Sequence, residues 1–131
     1  MDITPLIRSD QQVIQSYSSG VFKVSSVSYD HPVLVTPDNT VRWVVPFDDM
    51  TDLGKELHID HFAQIIAQAS EIDLVLLGCG RTMFMMNHDL RAALKEHGII
   101  VDVMDTGAAC RTYNVLMAEG RRLIAALYPV S

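Results

Sequence analysis

A chain of 131 residues that is 49% apolar and 20% charged has the size and composition of one folded domain, which excludes a disordered chain. The formal net charge is −6 and only Arg121 and Arg122 are adjacent among the basic residues, which argues against nucleic-acid binding because that asks for a clustered basic face. Two cysteines, Cys79 and Cys110, are too few for a disulfide framework and read as free thiols.

No apolar run approaches the ~20 residues that span a bilayer. The start, Met1-Asp2-Ile3-Thr4-Pro5, lacks both the basic-then-apolar order of a secretory signal and the Arg-rich character of an import leader. The expected location is the cytoplasm. Residues 1–131 read as a single domain, with about 1–11 as a loose N-terminal tail.

In chain order, residues 12–46 carry strand signals. Val21 to Val24 is a short β-type run, and Val27 to Tyr29 alternates weakly. Val33-Leu34-Val35-Thr36 and Val41-Arg42-Trp43-Val44-Val45 flank Pro37-Asp38-Asn39-Thr40, so the pair predicts a hairpin bracketed by Pro32 and Pro46. From residue 60 the period shifts toward 3.6. Phe62, Ile65, Ile66 and Ala69 share a helical face, with Asp60 expected to cap it. Asp73-Leu74-Val75-Leu76-Leu77 suits a strand covered on both faces. A helix over about Asn87–His97 presents Leu90, Ala93 and Leu94, and Gly98 fits the position just past its end. Ile99 to Met104 forms the next strand. A last helix starts after Asp105 and runs toward Leu127, where Pro129 stops it. Gly120 on its packed face implies close approach to a strand or a break into two helices.

The expected class is therefore α/β. One three-layer domain contains a mixed sheet, with a β-rich first half followed by α-β-α-β-α. Strands joined by a helix are parallel, and if these two are neighbours the loops after Leu77 and Met104 face each other at the carboxyl ends, where such folds bind ligands. That crevice holds Gly78, Cys79, Gly80 and Arg81 on one wall. Asp105, Thr106 and, one turn on, Cys110 and Arg111 form the other. The helix start offers free N–H groups to an anion, which Arg81 and Arg111 would reinforce. The plainer role of Asp105 or Thr106 is that of a helix cap.

Several chemistries fail by particular residues. Gly78 and Gly80 open a dinucleotide fingerprint, but its third glycine falls on Met83 and no helix follows at once. His58 and His61, with Asp60 between them, have no nearby third ligand at zinc spacing, so no metal and no cofactor are expected. Cys110 lies in the first turn of a helix, where a thiol can be activated. No histidine lies within a few residues of it to act as base, and burial of both thiols against a helix–strand contact is the simpler reading. Met83, Met85 and Met86 with Phe84 form either an apolar lid or a partner-binding patch. Arg111, Glu119, Arg121 and Arg122 read as a solvated helix face with local ion pairs. Tyr113 and Asn114 have no role that the pattern alone supplies.

The run Val103 to Leu116, with its Asp105-Thr106-Gly107 start and Arg111-Thr112-Tyr113-Asn114 core, is followed by Glu119-Gly120-Arg121-Arg122. Gly78-Cys79-Gly80, Tyr17, Gly20-Val21-Phe22 and Trp43 accompany it. Together they resemble a family of small α/β domains of unknown function, from about Ile14 to Leu127. Its eukaryotic members are a mitochondrial respiratory complex I assembly factor, and its bacterial and archaeal members are uncharacterised. The resemblance implies three layers around a mixed sheet, no established catalysis, and a binding or assembly role in the mitochondrial branch. It also draws Asn114 into the candidate set with Asp105, Thr106 and Arg111. The chain departs from the family where Cys79 replaces a frequent Thr, Cys110 a frequent Ala and Met86 a common Pro. The absence of an import leader also argues against carrying over the mitochondrial location.

The leading expectation is a non-catalytic binding or assembly protein with another protein as partner. It has no nucleic-acid partner and no membrane span. The alternatives are a small-molecule or thiol-dependent enzyme acting on an anionic substrate, and a structural subunit of a homo-oligomer.

Overall fold

The computed structural model describes residues 12–18, 20–45, 57–80 and 85–129. The N-terminal tail assigned to residues 1–11, Pro46, Arg81 and the Met83–Phe84 part of the apolar loop lie outside the described residues.

Two sheets and three helices make up the described fold. Strands β1 (Ile14–Ser18), β2 (Val21–Val24) and β3 (Val27–Tyr29) form a small antiparallel sheet. The larger sheet contains β4 (Val33–Val35), β5 (Thr40–Arg42), β6 (Leu74–Cys79), β7 (Val101–Met104) and β8 (Leu123–Tyr128), in the order β5-β4-β8-β6-β7. β6 runs parallel to β7 and β8, and β4 runs antiparallel to β8 and β5. The helices are α1 (Ala63–Ile66), α2 (His88–Glu96) and α3 (Thr106–Ala118).

Side-chain alternation splits the core. Val75, Leu77, Ile124 and Ala126 face α1 and α2, where they meet Ile65, Leu90, Leu94 and Trp43. Leu76, Leu123, Ala125 and Leu127 face α3, together with Val33 and Val35 of β4. α3 packs on β6 and β8 and also contacts β1, so the small sheet folds over its far side. The mixed α/β layering expected from sequence is the one observed. The predicted hairpin is β4–β5, with Val33 opposite Arg42 and Val35 opposite Thr40. α2 matches the predicted second helix, with Asn87 Oδ1 accepting from the N–H groups of Asp89 and Leu90 as its cap.

Three local expectations require correction. The last helix does not run to Leu127. It ends at Ala118, and Gly120 takes φ +89°, a left-handed stop that a side chain resists. Leu123–Tyr128 is then β8, fully buried in the middle of the sheet. The predicted Asp60-capped helix is instead a 3-10 turn over Ile59–Phe62 leading into the single-turn α1, followed by a second 3-10 turn over Ala69–Glu71. His58, not Asp60, stands at its start, and the His58 N–H donates to His61 Nδ1 at 3.0 Å. Arg121 and Arg122 belong to no helix face. Arg121 sits 3.6 Å from Asp73, and Arg122 Nε donates to the Glu71 carbonyl at 2.9 Å, so both fasten the approach to β8 against the approach to β6.

The β2–β3 turn places Ser25 and Ser26 at φ +46° and +73°, where L side chains are disfavoured. Ser25 Oγ accepts from the Val13 N–H at 3.1 Å, and the Ser26 N–H donates to Gln15 Oε1 at 2.7 Å. The Ser26 side chain makes neither of these bonds. Ser26→Gly is therefore expected to stabilise the protein by roughly 0.5 kcal/mol, because relief of the left-handed strain exceeds the extra chain entropy of glycine. Urea unfolding monitored on Trp43 fluorescence checks the sign.

Candidate functional site

Several of the residues expected to line the crevice meet where β6, β8 and α3 come together. Gly78 is in β6 because α3 begins directly above it. A Cβ there would lie 2.9 Å from Leu127 Cδ2, 3.1 Å from Thr106 Cα and 3.2 Å from Ala109 Cβ. Gly80 then turns the chain at φ +82°. Its N–H donates to Thr106 Oγ1 at 2.8 Å, and its carbonyl accepts from the Thr106 N–H at 2.8 Å. Thr106 Oγ1 donates in turn to the Tyr128 carbonyl at 2.6 Å, and the residue is 0% exposed. One hydroxyl thus joins the ends of two strands to the first turn of a helix. Gly80 and Thr106, expected on the two walls of a crevice, are bonded directly to each other.

Asp105 caps α3, its Oδ1 accepting from the Ala108 N–H at 2.9 Å. This carboxylate occupies part of the N-terminal donor set that an anion would use. Beyond it, Tyr17 of β1 reaches over Gly107, where a Cβ would stand 2.6 Å from the Tyr17 hydroxyl oxygen. Arg111, exposed, donates from Nη1 to that hydroxyl at 2.6 Å. Asn114, 3% exposed, accepts from the Ile14 N–H at 3.1 Å on Oδ1 and donates to the Ile14 carbonyl at 2.8 Å from Nδ2. Its amide reads a peptide group as a neighbouring strand would. Tyr113, beside it, donates to the Thr36 carbonyl at 3.3 Å, and burial pushes its hydroxyl pKa up. Tyr17 and Tyr113 were not assigned to the candidate junction from sequence, since their partners lie far away along the chain.

Both thiols are buried. Cys79 Sγ donates to the Met104 carbonyl at 3.1 Å. Burial pushes the Cys110 thiol up to about 12, Arg111 pulls it down by less, and Asp105 adds to the rise. Cys110 therefore stays protonated at neutral pH, which removes the thiolate that a thiol-dependent mechanism needs. Labelling of native protein with a maleimide at pH 7.5 is expected to proceed at Cys110 at least about a hundredfold more slowly than at a free thiol. The rate should rise to the free value only on unfolding. Because the folded pKa lies above the unfolded one, this group's contribution to stability is fully present below the unfolded pKa, near 9, and is lost as pH climbs toward 12.

Among the described residues no group of three His, Cys, Asp or Glu is placed to hold a metal ion. His61 has a lowered pKa, from burial first and then from the neighbouring His58, which keeps its Nδ1 available as an acceptor. Met86 is buried and Met85 is exposed. Among the described residues no helix is long and apolar enough to cross a membrane.

The fold and this junction define a small α/β domain in which the carboxyl strand ends are tied directly to the following helix. Residues 14–128 match the family described as protein of unknown function (DUF498/DUF598), and the chain belongs to that family. It is 31% identical over 117 residues to an uncharacterised protein of Rhodobacter capsulatus, covering 89% of this chain and 84% of that one. It is also 36% identical over 118 residues to NADH dehydrogenase [ubiquinone] 1 alpha subcomplex assembly factor 3 of Bos taurus. That match covers 88% of this chain, which spans only 60% of the bovine protein's length. In fold it resembles a Mth938-like domain from Bordetella pertussis, with a TM-score of 0.76, 25% identity, and 98% and 92% of the two chains covered.

Proposed function

We propose that this chain is a non-catalytic binding or assembly factor that acts by contact with another protein. The observation that carries the reading is how the candidate residues are engaged. Gly78, Gly80, Thr106 and Asn114 serve internal packing and hydrogen bonds, and Cys110 stays protonated. In this reading they form a rigid support. The contact surface is the rim they hold out, carried by Asp105 and Arg111; Arg81, also expected there from the sequence, lies outside the described residues. The assembly-factor name of the bovine relative supports a protein partner, and the fixed Arg111–Tyr17 pair supports a preorganised contact. The cytoplasmic location belongs to the same reading and is supported by two buried thiols that no disulfide joins.

In-cell cross-linking followed by capture of the tagged chain, with Arg111→Ala alongside, tests this. The expected result is a discrete partner whose yield falls about tenfold or more with Arg111→Ala. Equal recovery by both forms would overturn the role of Arg111, and absence of any partner would overturn the reading. Recovery only of this same chain would favour a homo-oligomer instead.

A further inference from the structure

Among the described residues, the outer strand of the larger sheet, β7, pairs with β6 on one side only. The Val75 N–H donates to the Ile100 carbonyl at 2.9 Å. Successive residues of a parallel strand bond to opposite neighbours. Asp102 and Met104 therefore turn their main chain toward β6, and Val101 and Val103 turn theirs outward. One outward group is already engaged, since Arg91 Nη1 donates to the Val101 carbonyl at 2.6 Å. The Val101 N–H and both main-chain groups of Val103 face outward, with no partner strand among the described residues. Beside this edge runs a groove lined by Ile99, Ile100 and Val101 together with Arg91 and Lys95 of α2. Ile100 is 61% exposed. Two cations thus flank apolar surface next to open main chain, on a chain whose net charge is −6.

We propose that the β7 edge receives an extended segment of a partner protein as an added strand. The segment carries a carboxylate that meets Arg91 and Lys95, and an apolar side chain that covers Ile100. The inference rests on the protein-binding reading above and gives that reading a second, separate surface. Charge complementarity selects this occupant over a second copy of the chain. A two-fold pairing of β7 with itself sets Arg91 and Lys95 against the same cations. Its centred register also puts Asp102 directly opposite Asp102.

The probe is a labelled five-residue peptide alternating glutamate and valine, with a lysine–valine peptide as control, titrated into the full chain and followed by amide NMR. The glutamate peptide is expected to shift and protect the amides of Val101 and Val103. The double substitution Arg91→Glu with Lys95→Glu, at exposed positions, should weaken it at least about tenfold. Val103→Pro, which removes an outward donor while leaving the β6 ladder intact, should abolish protection at the edge. Equal binding of both peptides, undiminished binding by the charge-reversed form, or no response at β7 would each overturn the proposal. A wild-type dimer that Val103→Pro dissociates would overturn it in favour of self-pairing. If a cellular partner is captured equally by the charge-reversed chain, only the β7 site fails and the protein-binding reading stands.

Discussion

Asn114→Ala is expected to lower the unfolding free energy by about 2–4 kcal/mol, because it leaves two buried main-chain groups of Ile14 without partners at roughly 1–3 kcal/mol each. Ile14 is fully buried and the Asn114 side chain supplies both bonds, one donated and one accepted. The effect should be largest where β1 meets α3, so amide exchange at Ile14 should accelerate more than exchange in β6 or β8. Asn114→Asp gives a sharper test. A carboxylate still accepts from the Ile14 N–H but repels the Ile14 carbonyl, whereas the protonated acid can donate to it. Burial raises the folded pKa of that acid above its unfolded value, so its stability is present below about pH 4 and lost as pH rises through the folded pKa. The deficit of Asn114→Asp relative to the unsubstituted chain should therefore shrink on acidification, while that of Asn114→Ala should not. Urea unfolding of the three forms at pH 4 and pH 7.5 measures both trends.

Thr106→Val is expected to cost about 2–4 kcal/mol, although the two side chains have the same shape. The hydroxyl is all that changes, and with it go the bonds to the Gly80 N–H and the Tyr128 carbonyl in a fully buried place. Thr106→Ser keeps the hydroxyl and loses a methyl group, so it should cost only about 1 kcal/mol. Valine much worse than serine is the signature of the hydroxyl bridge, and the reverse order would mean that packing alone holds the junction. Denaturant midpoints for both variants decide between them. Because the bridge holds the start of α3, Thr106→Val should also disturb the Asp105 cap and the contact surface proposed around it.

How much of this was legible in the sequence follows from the range of each signal. Local chemistry marked the β4–β5 hairpin, through Pro37 to Thr40, and α2, through Asn87 at one end and Gly98 at the other. The parallel strands after Asp73 and after Gly98 are readable from apolar runs, and their direct pairing supplies the adjacency that the runs alone leave open. The last helix misled because Leu116, Leu123 and Leu127 keep a helical spacing across Gly120. A short buried strand cannot be told from a buried helix by periodicity alone. The left-handed φ of Gly120 and the unbroken apolar run from Leu123 to Tyr128 carry the correct assignment. At the site, the glycines after β6 and the cap at Asp105 were visible as types. Their closure onto one another was not, because it depends on Thr106 reaching both Gly80 and Tyr128. Asn114 is the extreme case, since its partner lies 100 residues earlier and no local pattern points to it.

The most direct test inserts a photo-crosslinking residue at position 111, on the proposed contact surface, and separately at position 67, exposed just after α1 on the opposite side of the sheet. After illumination of living cells, the expected result is a discrete heavier adduct with a different protein from position 111 and little or none from position 67. No adduct at 111, or the same adducts from both positions, would contradict a protein-binding role for the rim of Asp105 and Arg111.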